Sequence, residues 1–211
     1  MKTILCSKSG YVKQEMQQYI KNAKKIVILP WAFANELNEN DFENEYFPVN
    51  GRRYSRYIDL FSEIQIEEFW VGNCYKHNPD EIVKKIVESD IVILPGGNPE
   101  MMYNKLMANK KVVNALIEYK GLLIGESAGA CMQFKKYLLT KENNYYGYQA
   151  FYDGIGRLDV DFLMDVHTID TKEYLENLKK IGKKVYAIFD EGMMFIEDDK
   201  INLHGKVKII K

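Results

Sequence analysis

The chain has 211 residues, which at about 100–200 residues per domain is enough for one domain or for one domain with a small appendage. It carries 29 Lys and Arg against 30 Asp and Glu, a formal net charge of −1, and 46% of its residues are hydrophobic. The balanced charge argues against an electrostatic nucleic-acid binder, and the apolar content excludes a disordered chain. We therefore expect a single folded domain over residues 1–211.

The lengths of the apolar runs and the spacing of the cysteines indicate where the protein is located and whether it binds a metal. The longest apolar runs are the length of strands, so a membrane span is not expected, and Met1–Gly10 lacks a cleavage-like site. The three cysteines, Cys6, Cys74 and Cys131, are far apart and form no zinc pattern. We expect reduced thiols in a cytoplasmic protein that binds no metal and no membrane.

In chain order, the first half alternates apolar runs with stretches of helical spacing. The predicted strands are Thr3–Cys6, Lys25–Pro30, Ile66–Val71 and Asp90–Leu94, and the predicted helices are Val12–Lys21, Tyr54–Phe61, Asn78–Glu88, Pro99–Met107 and Lys111–Tyr119. Residues 32–51 are polar, acidic and aromatic, which indicates an excursion from this alternation. Asn78, followed by Pro79 and two acids, is the expected N-cap of its helix.

The second half continues the alternation and ends in short strands. The predictions are a strand at Leu122–Gly125, a helix at Ala128–Tyr137, a Tyr-rich loop at Asn143–Tyr152, a strand ending at Val166, a helix at Thr171–Ile181, and four strands at Val185–Phe189, Met193–Ile196, Ile201–Leu203 and Lys206–Ile210, the last two joined by a turn at His204–Gly205. Alternating strands and helices imply parallel pairing. The predicted fold is a flavodoxin-like three-layer α/β sandwich, with a mostly parallel central sheet and helices on both faces.

The sequence Gly125-Glu126-Ser127-Ala128-Gly129 fits the pattern G-x-S-x-G of a nucleophile elbow. A buried strand precedes it and a predicted helix follows, which is the context that this motif requires. A sharp turn there would expose the Ser127 hydroxyl, and the free N–H of Ala128 at the helix start would face an oxyanion. The alternative is an ordinary tight turn.

A second strand end carries Gly96-Gly97-Asn98. Glycines at this position let a backbone N–H approach a reacting carbonyl, so Gly97 is the predicted second donor of an oxyanion hole. Asn98 is also expected to cap the helix that begins at Pro99, which does not exclude the first role. Glu100 and the lack of a following Lys-Ser/Thr argue against a phosphate cradle.

A serine nucleophile needs a base, and the chain has three histidines. His77 and His204 are expected at the surface, whereas His167 follows an apolar segment at a predicted strand end and is the candidate base. The third residue would orient the imidazole. From the residues alone, Glu142, Asp165 and the pair Asp190–Glu191 remain open.

Taken together, DIVILPGGNPEMM, LLIGESAGA and GIGRLDVDFLMDVH resemble the peptidase E and cyanophycinase family of serine peptidases. The resemblance runs from about Ile26 to Glu191 and implies a class I glutamine-amidotransferase-like fold.

By this resemblance Ser127 is the nucleophile, His167 the general base, and the N–H groups of Gly97 and Ala128 the oxyanion hole. It also implies an acid in the loop after the elbow helix, where Glu142 has the matching spacing, with Glu191 as second choice.

The sequence departs from the family pattern after His167, where HTIDTK contains no arginine although members that cut after aspartate usually carry arginines there. An arginine is the natural bidentate partner of a substrate carboxylate. Amidotransferases of this fold place a cysteine at the elbow. Here Ser127 occupies that position and Cys131 lies one turn later, so glutaminase activity is not expected.

The sequence thus predicts a single α/β hydrolytic domain, a serine peptidase that cleaves short peptides through an acyl-enzyme without a cofactor. The expected partner is a short peptide, not nucleic acid or a membrane, and a homodimer is left open. One alternative is a small esterase, although the chain lacks an HGGG-type loop. Another is a catalytically inactive, ligand-binding member of the same fold.

Overall fold

Residues 1–32, 39–46 and 51–211 are described by the structure, a computed structural model. The strands are β1 (Lys2–Cys6), β2 (Lys25–Ile28), β3 (Glu68–Val71), β4 (Ile91–Leu94), β5 (Leu122–Glu126), β6 (Lys136–Leu139), β7 (Ala150–Asp153), β8 (Leu163–Val166), β9 (Val185–Glu197) and β10 (Lys200–Ile210). The helices are α1 (Lys13–Ile20), α2 (Glu39–Tyr46), α3 (Arg52–Leu60), α4 (Pro79–Glu88), α5 (Pro99–Met107), α6 (Lys110–Glu118), α7 (Ala128–Cys131) and α8 (Lys172–Lys179), with a 3-10 turn at Ser9–Val12.

The central sheet has eight strands within the described residues, in the order β10-β9-β1-β5-β4-β2-β3, with β8 paired beside the first part of β9. The five strands β1, β5, β4, β2 and β3 are parallel, whereas β9 runs antiparallel to β1 and to β10. The prediction of a mostly parallel sheet is therefore confirmed. The carboxyl ends of the parallel strands lie together at one edge, where such sheets bind their ligands.

Helices cover both faces of this sheet, because successive side chains of each strand point to opposite faces. Leu5, Val27, Val92 and Leu123 pack with α4, α5 and α6, whereas their chain neighbours, such as Ile4 and Ile26, pack with α1, α2 and α3. Strands buried on both sides need continuous apolar runs, which explains sequences such as IVIL in β4. The three-layer architecture predicted from the sequence is confirmed.

The predicted helix Ala128–Tyr137 is wrong beyond its first turn. Helix α7 ends at Cys131, and the chain then forms the hairpin β6–β7, which includes part of the predicted Tyr-rich loop. The reason is tertiary: Tyr137 and Leu139 in β6 are buried in the core on the same side as α5 and α6. Their apolar side chains are used at strand spacing rather than helix spacing.

The four short terminal strands are also wrong, because the chain forms two long strands, β9 and β10. His204 and Gly205 lie inside β10 at an irregularity in the register, not in a turn. Gly205 has φ of +63°, and a side chain there would overlap the carbonyl oxygen of Glu191. Gly205 permits a β-bulge within β10, and the same residue type is also typical of tight turns, which is why the sequence predicted a turn here.

Helix caps follow the sequence closely. Asn78 accepts a hydrogen bond from Glu81 N at 2.9 Å, and Thr171 accepts one from Tyr174 N at 3.3 Å.

The predicted excursion at residues 32–51 contains α2, while residues 33–38 and 47–50 lie outside the described part of the chain. Within the described residues, no helix combines the length and apolar character needed to cross a bilayer.

Candidate active site

The elbow sequence forms a sharp turn between β5 and α7. Ser127 has φ of 50° and ψ of −111°, a backbone conformation that L-residues rarely adopt. Its N–H donates to the carbonyl oxygen of Cys6 at 2.9 Å, which ties the turn to β1. A Cβ at Gly129 would overlap the carbonyl oxygen of Leu94, so only glycine lets α7 approach β4 this closely.

His167 follows β8 directly and faces the elbow. Its Nε2 lies 2.9 Å from Ser127 Oγ, and its Nδ1 lies 3.0 Å from Asp190 Oδ1. His167 also has a positive φ, 58°. The structure therefore brings together the predicted Ser127 and His167, and aligns a hydroxyl, an imidazole and a carboxylate in a continuous chain of contacts. Such an array can remove a proton from the hydroxyl and hold the imidazolium that forms.

Among the acids left open by the sequence, Asp190 is the hydrogen-bond partner of the imidazole. Glu142, preferred by resemblance, is exposed in the loop after β6 and makes no hydrogen bond to His167. Glu142 does line the larger cavity beside Ser127, together with His167. Asp165 is buried and accepts hydrogen bonds from Thr168 and Tyr174, and Glu191 is exposed.

The strand pairing explains why Asp190 meets His167. β8 is parallel to the first part of β9, with Val166 opposite Ile188. His167, just after β8, and Asp190, two residues beyond Ile188 within β9, therefore lie side by side, although they are 23 positions apart in the chain. Partial burial acts to raise the pKa of Asp190, but hydrogen bonds from Lys8 and His167 outweigh it and leave that pKa below its ordinary value.

Gly97 and Ala128, the predicted oxyanion donors, both lie beside Ser127 in the cavities around it. Gly97 has φ of +144°, and a side chain there would overlap the carbonyl oxygen of Ala32. Asn98 caps α5 as predicted, accepting from Glu100 N at 2.9 Å and from Met101 N at 3.3 Å. Within the described residues, the N–H groups of Gly97 and Ala128 have no protein acceptor.

Glu126, the residue before Ser127, forms a buried cluster that the sequence analysis did not anticipate. Its carboxylate accepts hydrogen bonds from Ser9 N at 2.7 Å, Ser9 Oγ at 2.9 Å and Tyr57 Oη at 3.1 Å, and it forms an ion pair with Arg56. These contacts tie α3 to the elbow. The signal in the sequence was an acid at the end of an otherwise apolar, buried strand, because such a charge needs partners.

In the part of the chain that the structure describes, two cavities flank Ser127, one toward each face of the sheet. The first has a volume of about 210 Å³ and contains the charged side chains of Lys8, Arg53, Arg56 and Glu126. The second, of about 420 Å³, includes Leu139, Val166, Cys131, Glu142 and Tyr145. The arginines near Ser127 therefore come from α3, not from the segment after His167.

The remaining histidines, Cys131 and Arg157 have contacts or burial that fit a structural role. His77 Nδ1 accepts from Asn73 N at 3.0 Å, and His204 lies 2.7 Å from Tyr19 Oη. Burial raises the pKa of Cys131 to about 12, which disfavours a thiolate. Arg157 is buried and donates to backbone carbonyl oxygens at the end of α6.

Within the described residues, the structure contains neither a cluster of possible metal ligands nor a disulfide bond. No group of three or more His, Cys, Asp or Glu side chains is arranged to hold a metal ion there. The three cysteines are free thiols, as predicted, with Cys6 and Cys131 buried.

Comparison with known proteins decides the family. The model of peptidase family S51 matches residues 5–204. The chain belongs to peptidase family S51. This S51 chain is therefore a serine peptidase, as the resemblance implied. No curated protein is significantly similar to it in sequence.

Solved structures with the same fold include two peptidases. One is described as a "Putative Peptidase E Protein" from Listeria monocytogenes EGD-e, with a TM-score of 0.66, 19% identity, and coverage of 97% of this chain and 98% of that one. The other is a peptidase from an acI-B1 Actinobacterium, with a TM-score of 0.67, 16% identity, and coverage of 100% and 90% respectively. At these identities, the two structures support the α/β fold of this S51 peptidase.

Proposed function

We propose that this serine peptidase uses Ser127, His167 and Asp190 as a catalytic triad. Ser127 Oγ attacks the carbonyl carbon of a peptide bond while His167 Nε2 takes its proton. Asp190 accepts from His167 Nδ1, which fixes the imidazole in the required orientation and stabilises its charged form. Asp190 replaces Glu142 in this proposal because its carboxylate contacts the imidazole.

The negative charge on the carbonyl oxygen is received by the N–H groups of Gly97 and Ala128. Backbone donors held beside the reacting serine, and without another acceptor within the described residues, stabilise this charge as it develops. The imidazolium then gives its proton to the leaving amine, which departs and leaves an acyl group on Ser127. Water, deprotonated by His167, hydrolyses this acyl-enzyme and regenerates the serine.

Short peptides are the proposed substrates. The cavities of about 210 and 420 Å³ on either side of Ser127 are in or below the range of about 300–1,000 Å³ typical of small-ligand sites. Each has room for a few side-chain or backbone groups on one side of the scissile bond. The charged side chains of the first cavity also suit polar or charged ends of a peptide.

The observation that carries this proposal is the alignment of Ser127 Oγ, the two imidazole nitrogens and Asp190 at 2.9 and 3.0 Å. Its test uses a fluorophosphonate probe, which reacts with activated serines, and a panel of short peptides and esters. The wild-type protein should be labelled at Ser127 and should hydrolyse peptides. Ser127→Ala should lose labelling and turnover while keeping its melting temperature.

The matched control is Ser62→Ala, which removes an exposed hydroxyl that lines neither cavity beside Ser127. It should leave labelling and turnover unchanged. Continued peptide hydrolysis by a folded Ser127→Ala protein would exclude the mechanism. Turnover of esters without any peptide would instead support the esterase alternative.

A further inference from the structure

Three consecutive residues after β1, Ser7, Lys8 and Ser9, each bind a different part of the proposed triad or its surroundings. Their partners are His167 just after β8, Asp190 in β9 and Glu126 in β5, at separations of 117 to 182 positions along the chain. Ser7 and Ser9 are buried, with 1% and 2% exposure. We call Ser7–Ser9 the support segment.

Ser7 holds the backbone of His167. Its Oγ accepts a hydrogen bond from His167 N at 2.8 Å and donates one to the carbonyl oxygen of Ile188 at 3.0 Å. His167 has φ of 58°, an unfavourable conformation for a residue with a Cβ. The Ser7 hydroxyl therefore helps to retain the backbone geometry that aims the imidazole at Ser127, and it also links β1 to β9.

Lys8 holds the other end of the array. Its ammonium group forms an ion pair with Asp190 Oδ2, while Asp190 Oδ1 lies 3.0 Å from His167 Nδ1. The two oxygens of one carboxylate thus have separate cationic or donor partners. A carboxylate bound on both oxygens cannot rotate freely about its side-chain bonds, so the oxygen facing His167 stays in place.

Ser9 completes the segment by binding Glu126 through both its N–H and its Oγ. Glu126 is adjacent to Ser127, and Ser127 N donates to the carbonyl oxygen of Cys6, just before the support segment. The chain from Cys6 to Ser9 therefore touches the nucleophile turn, the histidine backbone and the acid within four residues.

We infer that Ser7 and Lys8 are positioning residues, which keep His167 and Asp190 in line with Ser127 and so set the reactivity of the serine. This inference rests on the triad proposed above. Neither residue exchanges a proton with the substrate. Each acts on a member of the triad, and a misplacement of reacting groups by about 1 Å can reduce a rate on the order of a hundredfold.

The primary test compares Lys8→Met with Lys8→Arg. Lys8 is partly exposed, so either replacement should fold, and methionine retains most of the aliphatic length without the charge. We measure the rate at which a small neutral fluorophosphonate labels Ser127, together with kcat and KM for a hydrolysed peptide. Lys8→Met should lower both the labelling rate and kcat about tenfold or more with little change in KM, and Lys8→Arg should restore most of the loss.

The control is Lys13→Met, which removes a lysine that forms an ion pair with Asp59 at 3.5 Å; neither residue lines the smaller cavity. It should leave the labelling rate and kcat unchanged. Because Lys8 also lines the smaller cavity, a role in substrate binding is the competing explanation. That role would raise KM and leave labelling by the neutral probe unchanged, a result that would overturn the inference.

A second pair of variants tests Ser7. Ser7→Ala should slow labelling and turnover, and Ser7→Thr, which retains the hydroxyl, should recover more of the activity than alanine does. Equal rates for wild type and Ser7→Ala would contradict the role of this hydroxyl. If the wild-type protein itself is not labelled, the triad proposal fails and the inference fails with it. If the wild-type protein is labelled and Lys8→Met is labelled and turns over at the same rates, the inference alone is refuted.

Discussion

The elbow around Ser127 and the region that supplies His167 and Asp190 form one site but are encoded in different ways. The elbow is local: strand, turn and helix lie within residues 122–131. His167 and Asp190 are brought together by the parallel pairing of β8 with β9 and reach Ser127 across the sheet. A local motif can be recognised from residue spacing, whereas a contact between distant strands depends on register.

This difference explains why the residues alone left the acid open and the resemblance favoured Glu142, whereas the imidazole contacts Asp190. At the elbow, the small residues are required by close packing, so the sequence pattern and the geometry agree. In the second region, the sequence alone did not show which of several acids contacts the imidazole, because that depends on the register of β8 and β9.

The largest effect should come from the acid. Asp190→Asn should reduce kcat on the order of 10⁴-fold, because an amide no longer favours the imidazole orientation and charge that the reaction needs. Glu142→Gln should leave kcat essentially unchanged, and any effect of its place in the larger cavity should be on KM. Peptide hydrolysis measured at saturating substrate, with Glu191→Gln as a matched neighbour, checks both. The opposite ranking of the Asp190 and Glu142 variants would restore the acid suggested by resemblance.

In the elbow, the strongest effect should be on stability. Gly129→Ala places a methyl group against the carbonyl oxygen of Leu94, and we expect it to reduce the free energy of unfolding by about 3 kcal/mol. Gly10→Ala is the control, since nothing lies within 4 Å of a Cβ there. Urea unfolding of the two variants measures the difference. Equal stabilities would mean that the elbow can relax without cost.

Asp165, near His167, should make stability depend on pH. Burial raises its pKa to about 6, against hydrogen bonds from Thr168 and Tyr174 that lower it. The folded protein thus keeps this proton up to about pH 6, while the unfolded chain releases it at about pH 4. The contribution of this group to stability is present below about pH 4 and is lost as the pH rises through about 6.

Asp165→Asn keeps a neutral group at all pH values and should not show this loss. The stability of the variant relative to wild type should therefore increase by on the order of 2 kcal/mol between pH 4 and pH 7. Thermal unfolding across this range measures the change, with exposed Asp161→Asn as control. A constant difference between variant and wild type would show that folding does not raise the pKa of Asp165.

The smallest effect is expected at a helix cap beyond the His167 region. Thr171→Ala removes the hydroxyl that accepts from Tyr174 N and should cost about 1 kcal/mol of stability. Since α8 contributes no side chain to the two cavities around Ser127, turnover should stay unchanged. Chemical unfolding and peptide hydrolysis separate the two readouts. A large loss of activity would mean that α8 controls the position of His167.

Most of the layered fold could be predicted because its strands are buried on both faces and its helices carry clear caps. The apolar run before Ser127 and the Asn78 cap are examples in which local sequence and structure agree. The hairpin β6–β7 and the continuous strands β9 and β10 could not be predicted in the same way. Their residues satisfy more than one local pattern, and core packing and strand pairing decide between the patterns.

By itself, the sequence determined the alternation of strands and helices, the turn that exposes Ser127 and the choice of His167 over the other histidines. These features depend on residues close together in the chain. Only the tertiary structure decided that Asp190 contacts the imidazole and that Ser7 and Lys8 brace it. The contacts of Ser7 and Lys8 join residues more than a hundred positions apart, and the contact between Asp190 and His167 depends on the register of β8 and β9. The geometry of all of them follows from how the strands pair in the sheet.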